Sequence, residues 1–285
     1  MAYIDLHTHS NCSDGVLSPE ELVGAAARAG LDTISLTDHD SIAGVARAIA
    51  AAEKYGIKVL PGVELSVAWQ DWHDVHLLGY GIDIDNAPLL QALDNFAAQR
   101  ANRNLEIIAS VNRKLTAKGL EQLLPEEVTA LADGVLGRPH IARALMARGY
   151  VSNMEEAFEH YLVPCNVPKA YWPMADAISA IHQAGGAAVL AHPTSITRDT
   201  DLLEKIIKDL SKIGLDGVEI YNSMASEAEA SFLQGIANSL KLITTAGSDF
   251  HGIDEQDCIG KGRSGIRFSD ALLPPLYEKI KLQKQ

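Results

Sequence analysis

YIDLHTHSNCSDG, residues 3–15, begins like a strand and ends in a turn rich in serine, asparagine and aspartate. In an extended segment, positions i and i+2 point to the same side, so His7 and His9 can grip one ion. Just beyond it, Ser18-Pro19-Glu20-Glu21 reads as an N-cap serine, a proline at the first helical position and acids in the first turn, followed by an alanine-rich helix up to Gly30. The pattern then repeats through DTISLTDHD (32–40), a helix ending at Tyr55-Gly56, KVLPGVELSV (58–67) and DVHLLGYGI (74–82). Strand, helix, strand, helix is the form of a parallel sheet or barrel.

The alternation stops near Asn86. LLQALDNFAAQRANRNLEIIASVNRKL (89–115) has apolar residues three and four apart, and the helical pattern continues to about Met154, so residues 87–182 read as a helical insertion. Strand patterns resume at GAAVLAHP (186–193), LDGVEIYNS (215–223) and KLITTAGSDFHG (241–252). The expected organisation is therefore a barrel from residues 1–86 and 183–285, with seven strands, interrupted by a helical cap.

Bulk properties narrow the function classes. The 285 residues carry a formal charge of −13 and are 47% apolar, with no run near the ~20 apolar residues that a membrane span needs. Asp5, His7 and His9 stand where a secretory signal would be apolar, so the expected location is the cytoplasm, with no membrane partner. Cys12, Cys165 and Cys258 form no CxxC pair and read as buried or idle thiols. The acidic balance argues against holding long duplex nucleic acid, which requires a basic stripe, although bound divalent cations reverse the charge locally. Oligomeric state is not legible.

The residues at the strand ends carry the chemistry. Strand one delivers His7 and His9, strand two Asp38, His39 and Asp40, strand three Glu64, strand four His76, strand five His192, strand six Tyr221 and Asn222, and strand seven Asp249 and His251. Loops after parallel barrel strands share one rim, so these side chains are expected to converge. A lone histidine is usually structural, but six of the ten at the strands of one barrel favour metal. Imidazole and carboxylate without thiolate suit zinc, manganese or iron, and a carboxylate such as Glu64 can bridge two ions. Nine candidates, His7, His9, Asp14, His39, Glu64, His76, His192, Asp249 and His251, are too many for one ion and can serve two or three.

DLHTHSNCSDG, TDHD, PGVE, HLLGY, AHP and GSDFHG, in this order, resemble the motifs of the polymerase and histidinol phosphatase (PHP) family of metal-dependent phosphoesterases. The resemblance implies an α/β fold, a distorted (β/α)7 barrel of the PHP type with a helical insertion domain. It implies one ion at His7, His9, Glu64 and Asp249, a second at Glu64, His76 and His192, and a third at Asp14, His39 and His251. Several relatives have histidine at the position of Asp14; an oxygen ligand there tilts the third site towards manganese or magnesium. Two to three divalent cations are expected, manganese first, with Zn2+, Fe2+ or Mg2+ as alternatives. His192 and Asp249 are the catalytic candidates, beside a metal-bridging hydroxide.

GRPHIARAL (137–145), inside the insertion, resembles the branch of nucleoside 3′,5′-bisphosphate phosphatases and 5′-3′ exoribonucleases. That resemblance implies hydrolysis of the 3′-phosphate of a small nucleotide, with trimming of short 5′-phosphorylated RNA as the alternative. Histidinol-phosphate hydrolysis and a non-catalytic metal module come behind these. Arg138 and His140 are expected to bind phosphate, with Arg100, Arg103 and Asn222 as further substrate contacts, although Arg138 also stands where a solvated arginine would simply begin a helix at Pro139. Asp5, Asp38 and Asp40 flank ligands and are expected to orient imidazoles. Tyr171 and Trp172 read as packing residues, and His73, His160 and His182 as structural.

Overall fold

The computed structural model describes residues 2–131, 137–253 and 258–284. It comprises two compact units, Met1–Gln91 with Tyr171–Gln285, and Ala92–Ala170. In the first, β1 (Tyr3–Thr8), β2 (Thr33–Leu36), β3 (Lys58–Trp69), β4 (Trp72–Tyr80), β5 (Trp172–Pro173), β6 (Ala187–Leu190), β7 (Gly217–Tyr221), β8 (Ile243–Ala246) and β9 (Phe268–Ser269) form one sheet. Along it the order is β8-β7-β6-β4-β3-β2-β1-β9, with β5 beside β3. Phe250, just past β8, bridges Thr8 in parallel, which brings the two ends of the seven-strand run together. Gly247 makes this closure possible, because a Cβ there would lie 2.2 Å from His7 Cβ. The chain thus forms an α/β barrel of the distorted (β/α)7 kind.

Two departures from regular alternation give the distortion. β4 runs antiparallel to both neighbours, pairing Glu64 with Leu78 and Ser66 with His76 on one side and Leu78 with Val189 on the other. The expectation that every ligand-bearing strand end shares one rim is therefore corrected for His76: a short turn joins β3 to β4, and His76 lies at the middle of the returning strand. Second, the register of β1 against β2 shifts between Asp5 and Thr8. Ile4 and Leu6 pack with Leu78, Tyr80 and Val189, and the shift then re-aims the chain so that His7 and His9 both face Glu64.

Local sequence explains the helices. Ser18 caps Pro19–Arg28 in a capping box with Glu21, as expected from Ser-Pro-Glu-Glu. Leu22, Val23 and Ala26 of that helix pack with Ile34 and Leu36 of β2 and Ala48 of Val45–Tyr55. Residues 171–182, which the sequence pattern places in the insertion, lie in the barrel unit. Trp172 pairs with Val67 and is buried, and Met174–Gln183 buries Met174, Ala177, Ile178 and Ile181 on one face. A strand of two residues and an amphipathic helix are locally indistinguishable from cap structure; their partners are distant in sequence. In the second unit the helices Pro125–Thr129 and Arg138–Ala147 and most of Ala87–Ala117 pack around Ile107, Val111, Leu115, Ile141 and Leu145. Among the described residues no helix is long and apolar enough to cross a membrane.

Candidate metal centre

All nine ligand candidates lie in the barrel unit, and they gather around Glu64. Its Oε2 is 3.2 Å from His7 Nε2, 3.2 Å from His9 Nε2 and 3.1 Å from His39 Nδ1. Its Oε1 is 3.0 Å from His76 Nδ1 and 3.1 Å from His192 Nε2. Asp249 Oδ1 completes the first set, 3.3 Å from His7 Nε2 and 3.2 Å from His9 Nε2. A third set lies on the outer side, with Asp14 Oδ1 3.3 Å from His251 Nε2 and Oδ2 3.6 Å from His39 Nε2. His39 thus stands between sets, one ring nitrogen towards Glu64 and the other towards Asp14.

These atoms fit divalent cations on physical grounds. His7 Nε2, His9 Nε2, His39 Nδ1 and Glu64 Oε2 are buried, converge, and have no hydrogen-bond partner among the described residues. Burying such groups unpaired costs about 1 to 3 kcal/mol each, so a converging set of them needs a common partner. Ligands 2.0 to 2.2 Å from one ion are roughly 3.0 to 3.5 Å from each other, the spacing found here. His7, His9 and Glu64 are wholly buried, whereas the side chain of Asp14 is 53% exposed, so the third set faces solvent.

Electrostatics agree. Burial pushes His9 down, but the carboxylates of Asp249 and Glu64 outweigh it and lift the imidazole to about 10. Burial, reinforced by His9 and His76 against the pull of Glu64, drives His39 down to about 3. Asp249 and Glu64 are both held below the usual carboxylate range, burial being overcome by the surrounding imidazoles. Such a constellation concentrates positive charge at the carboxylates and leaves a neutral imidazole beside them.

The backbone bearing these ligands is strained and anchored. His192 and Asp249 have φ of 24° and 59°, and Asp40, next to His39, has φ 50°. Such conformations cost roughly 1 to 3 kcal/mol each and persist only where surrounding contacts impose them. The contacts are buried carboxylates. Asp5 accepts from Ser248 N–H and Oγ–H and from Gly260 N–H, beside Asp249. Asp38 accepts from Ser10 N–H and Oγ–H and from Ser13 Oγ–H, which fixes the turn between His9 and Asp14. Asp40 accepts from Ser66 N–H, two residues past Glu64, and Glu219 from His192 N–H. Asp5 is pushed up to about 6 by its burial, against these hydrogen bonds. The flanking aspartates thus act on backbone near the ligands, whereas the sequence reading expected them on imidazoles.

Glu219 was missed in the sequence. Its Oε1 lies 3.0 Å from His7 Nδ1, and it is wholly buried. The available signal was an acid between Val218 and Ile220 in a strand expected to be buried. The expectation fell instead on Asn222, three residues on, whose Oδ1 accepts from the N–H groups of Met224 and Ala225 and so shapes a turn. His182 pairs with Asp216 at 2.7 Å and is structural, as expected.

The substrate candidates of the insertion lie in the second unit. Arg103 donates from Nε to Val167 O at 2.7 Å and from a terminal nitrogen to Asn166 Oδ1 at 2.9 Å. Arg138 reaches the same Asn166 Oδ1 at 3.3 Å, with its guanidinium over the Phe158 ring. The two guanidiniums thus share one acceptor, Asn166 Oδ1. Arg138 occupies the first turn of its helix, where a cation opposes the helix dipole by about 0.3 to 1 kcal/mol. His140 Nδ1 accepts from Gly137 N–H and so caps that helix, and Arg100 is half-buried one turn before Arg103.

Comparison with known proteins gives the same direction. A family model described as the PHP domain matches residues 5–165. A 3′,5′-nucleoside bisphosphate phosphatase of Chromobacterium violaceum is 36% identical over 284 residues, covering 98% of this chain and 95% of that protein. A 5′-3′ exoribonuclease of Haemophilus influenzae is 37% identical over 250 residues, covering 87% and 89%. Among solved structures, a Bifidobacterium adolescentis protein assigned to the metal-dependent phosphoesterases superposes with a TM-score of 0.81 at 26% identity, covering 98% of this chain and 96% of that one.

Proposed function

The chain belongs to the PHP domain family, and from that premise we propose that it removes the 3′-phosphate from small nucleoside 3′,5′-bisphosphates. It is a hydrolase acting on phosphate esters, and its His, Asp and Glu clusters suit divalent metals. Our assignment puts one ion with His7, His9, Glu64 and Asp249, a second with Glu64, His76 and His192, and a third with Asp14, His39 and His251, manganese being the favoured metal. The observation that carries it is Glu64, whose two oxygens face two separate sets of imidazoles at 3.0 to 3.2 Å.

When bound, divalent cations supply Lewis acidity towards phosphoryl oxygens and a nucleophile from water at neutral pH. The chain's own residues do the rest. Glu64 and Asp249 fix where positive charge accumulates, which in a protein of net charge −13 makes this the place where a phosphate is drawn in. Ser195 Oγ lies 2.9 Å from His192 Nδ1, which holds the ring with Nε2 towards Glu64. Arg138 and Arg103, which share Asn166 Oδ1 in the second unit, are the residues we propose for phosphate contact, by planar, charge-assisted hydrogen bonds.

The substrate choice rests on the relative that aligns with 98% of the chain, and on the arginine pair. A second reading, 5′-3′ trimming of short RNA, rests on the relative of nearly equal identity over 87% of it. A manganese-supplied screen of a nucleoside 3′,5′-bisphosphate, short 5′-phosphorylated RNA and histidinol phosphate separates them. Preferred release of inorganic phosphate from the bisphosphate supports the first reading, and mononucleotide release from RNA as the dominant activity overturns it.

A further inference from the structure

Glu219 is wholly buried on β7 and spends its two oxygens on two different ligand candidates. Oε1 meets His7 Nδ1 at 3.0 Å, and Oε2 accepts from the backbone N–H of His192 at 2.9 Å. We propose that Glu219 is a positioning residue that fixes the tautomer of His7 and the strained backbone of His192, so that the two imidazole sets on Glu64 take up their cations together. This deepens the metal-centre reading and rests on it.

A neutral imidazole ring has one N–H and one lone pair, and a carboxylate oxygen only accepts. In a metal-loaded ring, which is neutral, the hydrogen of His7 would sit on Nδ1, leaving the lone pair of Nε2, 3.2 and 3.3 Å from Glu64 Oε2 and Asp249 Oδ1, for a cation. At His192, with φ 24°, the hydrogen bond from its own N–H to Glu219 holds the backbone whose ring nitrogen meets Glu64 Oε1 at 3.1 Å. One side chain thus sets an imidazole facing each oxygen of Glu64. Ser195 touches only His192, so it serves as the one-sided comparison.

Glu219→Gln keeps the shape and removes one acceptor. Its single carbonyl oxygen can serve His7 Nδ1–H or His192 N–H, and its NH2 faces the other. If the NH2 faces His7, the ring moves its hydrogen to Nε2 and loses the lone pair aimed at Glu64. If it faces His192, the strained backbone loses its restraint.

Mn2+ titration of chelator-stripped protein, with free Mn2+ read by electron paramagnetic resonance, tests this without turnover. Glu219→Gln, which keeps one acceptor, is expected to weaken one bound ion, and Glu219→Ala, which keeps neither, to weaken two of them together by roughly 10- to 100-fold as for other groups that orient metal ligands, while Ser195→Ala weakens one. Unchanged affinities in Glu219→Ala, or the weakening of a single ion in it, would overturn the inference while the parent's Mn2+ binding left the metal-centre reading standing. A parent that binds no Mn2+ would overturn both. Should Glu219→Ala fail to fold, long-range proton–nitrogen spectra of the zinc-loaded parent decide: His7 must carry hydrogen on Nδ1 and zinc on Nε2, and the reverse tautomer refutes the proposal.

Discussion

Replacing Glu64 by glutamine is the sharpest perturbation of the centre, because the side chain has no redundancy. Oε2 faces His7, His9 and His39, and Oε1 faces His76 and His192, all within 3.2 Å. An amide keeps one oxygen and turns an NH2 on the other set, and it carries no charge for either. A charge-assisted contact is worth about 1.5 to 3 kcal/mol even without a doubly charged partner, so each ion that uses Glu64 loses at least about 10- to 150-fold in affinity. Two ions are therefore expected to go at once. Elemental analysis after gel filtration should show Glu64→Gln short of two equivalents relative to the parent, and His192→Ala short of one, with turnover of any phosphoester lost in both. Loss of a single equivalent from Glu64→Gln would show that the carboxylate does not bridge, and full occupancy would refute the assignment of Glu64 as a ligand. Circular dichroism guards against misreading an unfolded variant.

Asp249→Asn is expected to abolish turnover by orders of magnitude with little effect on folding, because asparagine tolerates the φ of 59° at this position; a comparable loss of activity and of thermal midpoint would mean that packing is being measured. His182→Ala, by contrast, should lower stability through the lost contact to Asp216 and leave kcat/KM of the folded enzyme unchanged. Arg138→Ala should cost roughly 1.5 to 3 kcal/mol, about 10- to 150-fold in kcat/KM, on a 3′,5′-bisphosphate, and little on the same nucleoside lacking the 5′-phosphate. Equal losses on both substrates would place Arg138 on the phosphate being cleaved, and no loss on either would leave it as a helix-start residue. Burial raises Asp216, but His182, the Ala188 N–H and Lys279 outweigh it, so the folded carboxyl lies below its ordinary value. Its stabilisation is then complete above about pH 4 and disappears as pH falls through the folded value. Asp216→Asn should accordingly lose roughly 1.5 to 3 kcal/mol at pH 7 and converge with the parent in acid, and a deficit independent of pH would contradict this ion-pair account.

What was legible in the sequence was what short-range geometry encodes. His7 and His9 two apart on a strand, the Ser18 capping box and the seven barrel strands follow from periods and caps that neighbouring residues impose. The direction of β4 was not legible, since DVHLLGYGI reads the same in either sense and its pairing with β3 and β6 is a tertiary choice. The same holds for β5 and the helix Met174–Gln183, whose partners Val67 and Gly79 lie about a hundred residues away. Glu219 escaped because a buried acid has meaning only once its acceptor role is seen, and Asn222 was singled out because an asparagine at a strand end is chemically suggestive whether it faces a site or caps a turn.

The acids at this centre divide into two kinds with different work. Asp14, Glu64 and Asp249 face imidazole nitrogens across gaps that suit a cation, while Asp5, Asp38, Asp40 and Glu219 accept backbone N–H groups beside the ligands. The division matters for charge. Three carboxylates against two or three divalent ions leave the loaded mouth with about one to three net positive charges, because the remaining six candidates are imidazoles. If all seven acids faced the ions the sign would reverse, and phosphate would be repelled from the groups meant to act on it. By turning four of them onto peptide N–H donors, Glu219 also onto the far ring nitrogen of His7, the fold holds the φ of 24° at His192 and 59° at Asp249 against their strain while keeping those oxygens off the nitrogens that face Glu64. Rigid ligands and an attractive field therefore come from one arrangement. It follows that adding salt should raise KM for a bisphosphate far more than it lowers kcat, since screening weakens the approach of the anion and not the buried contacts around Glu64. A kcat that falls with salt in step with kcat/KM would show that the field acts on the chemical step, against this division of labour.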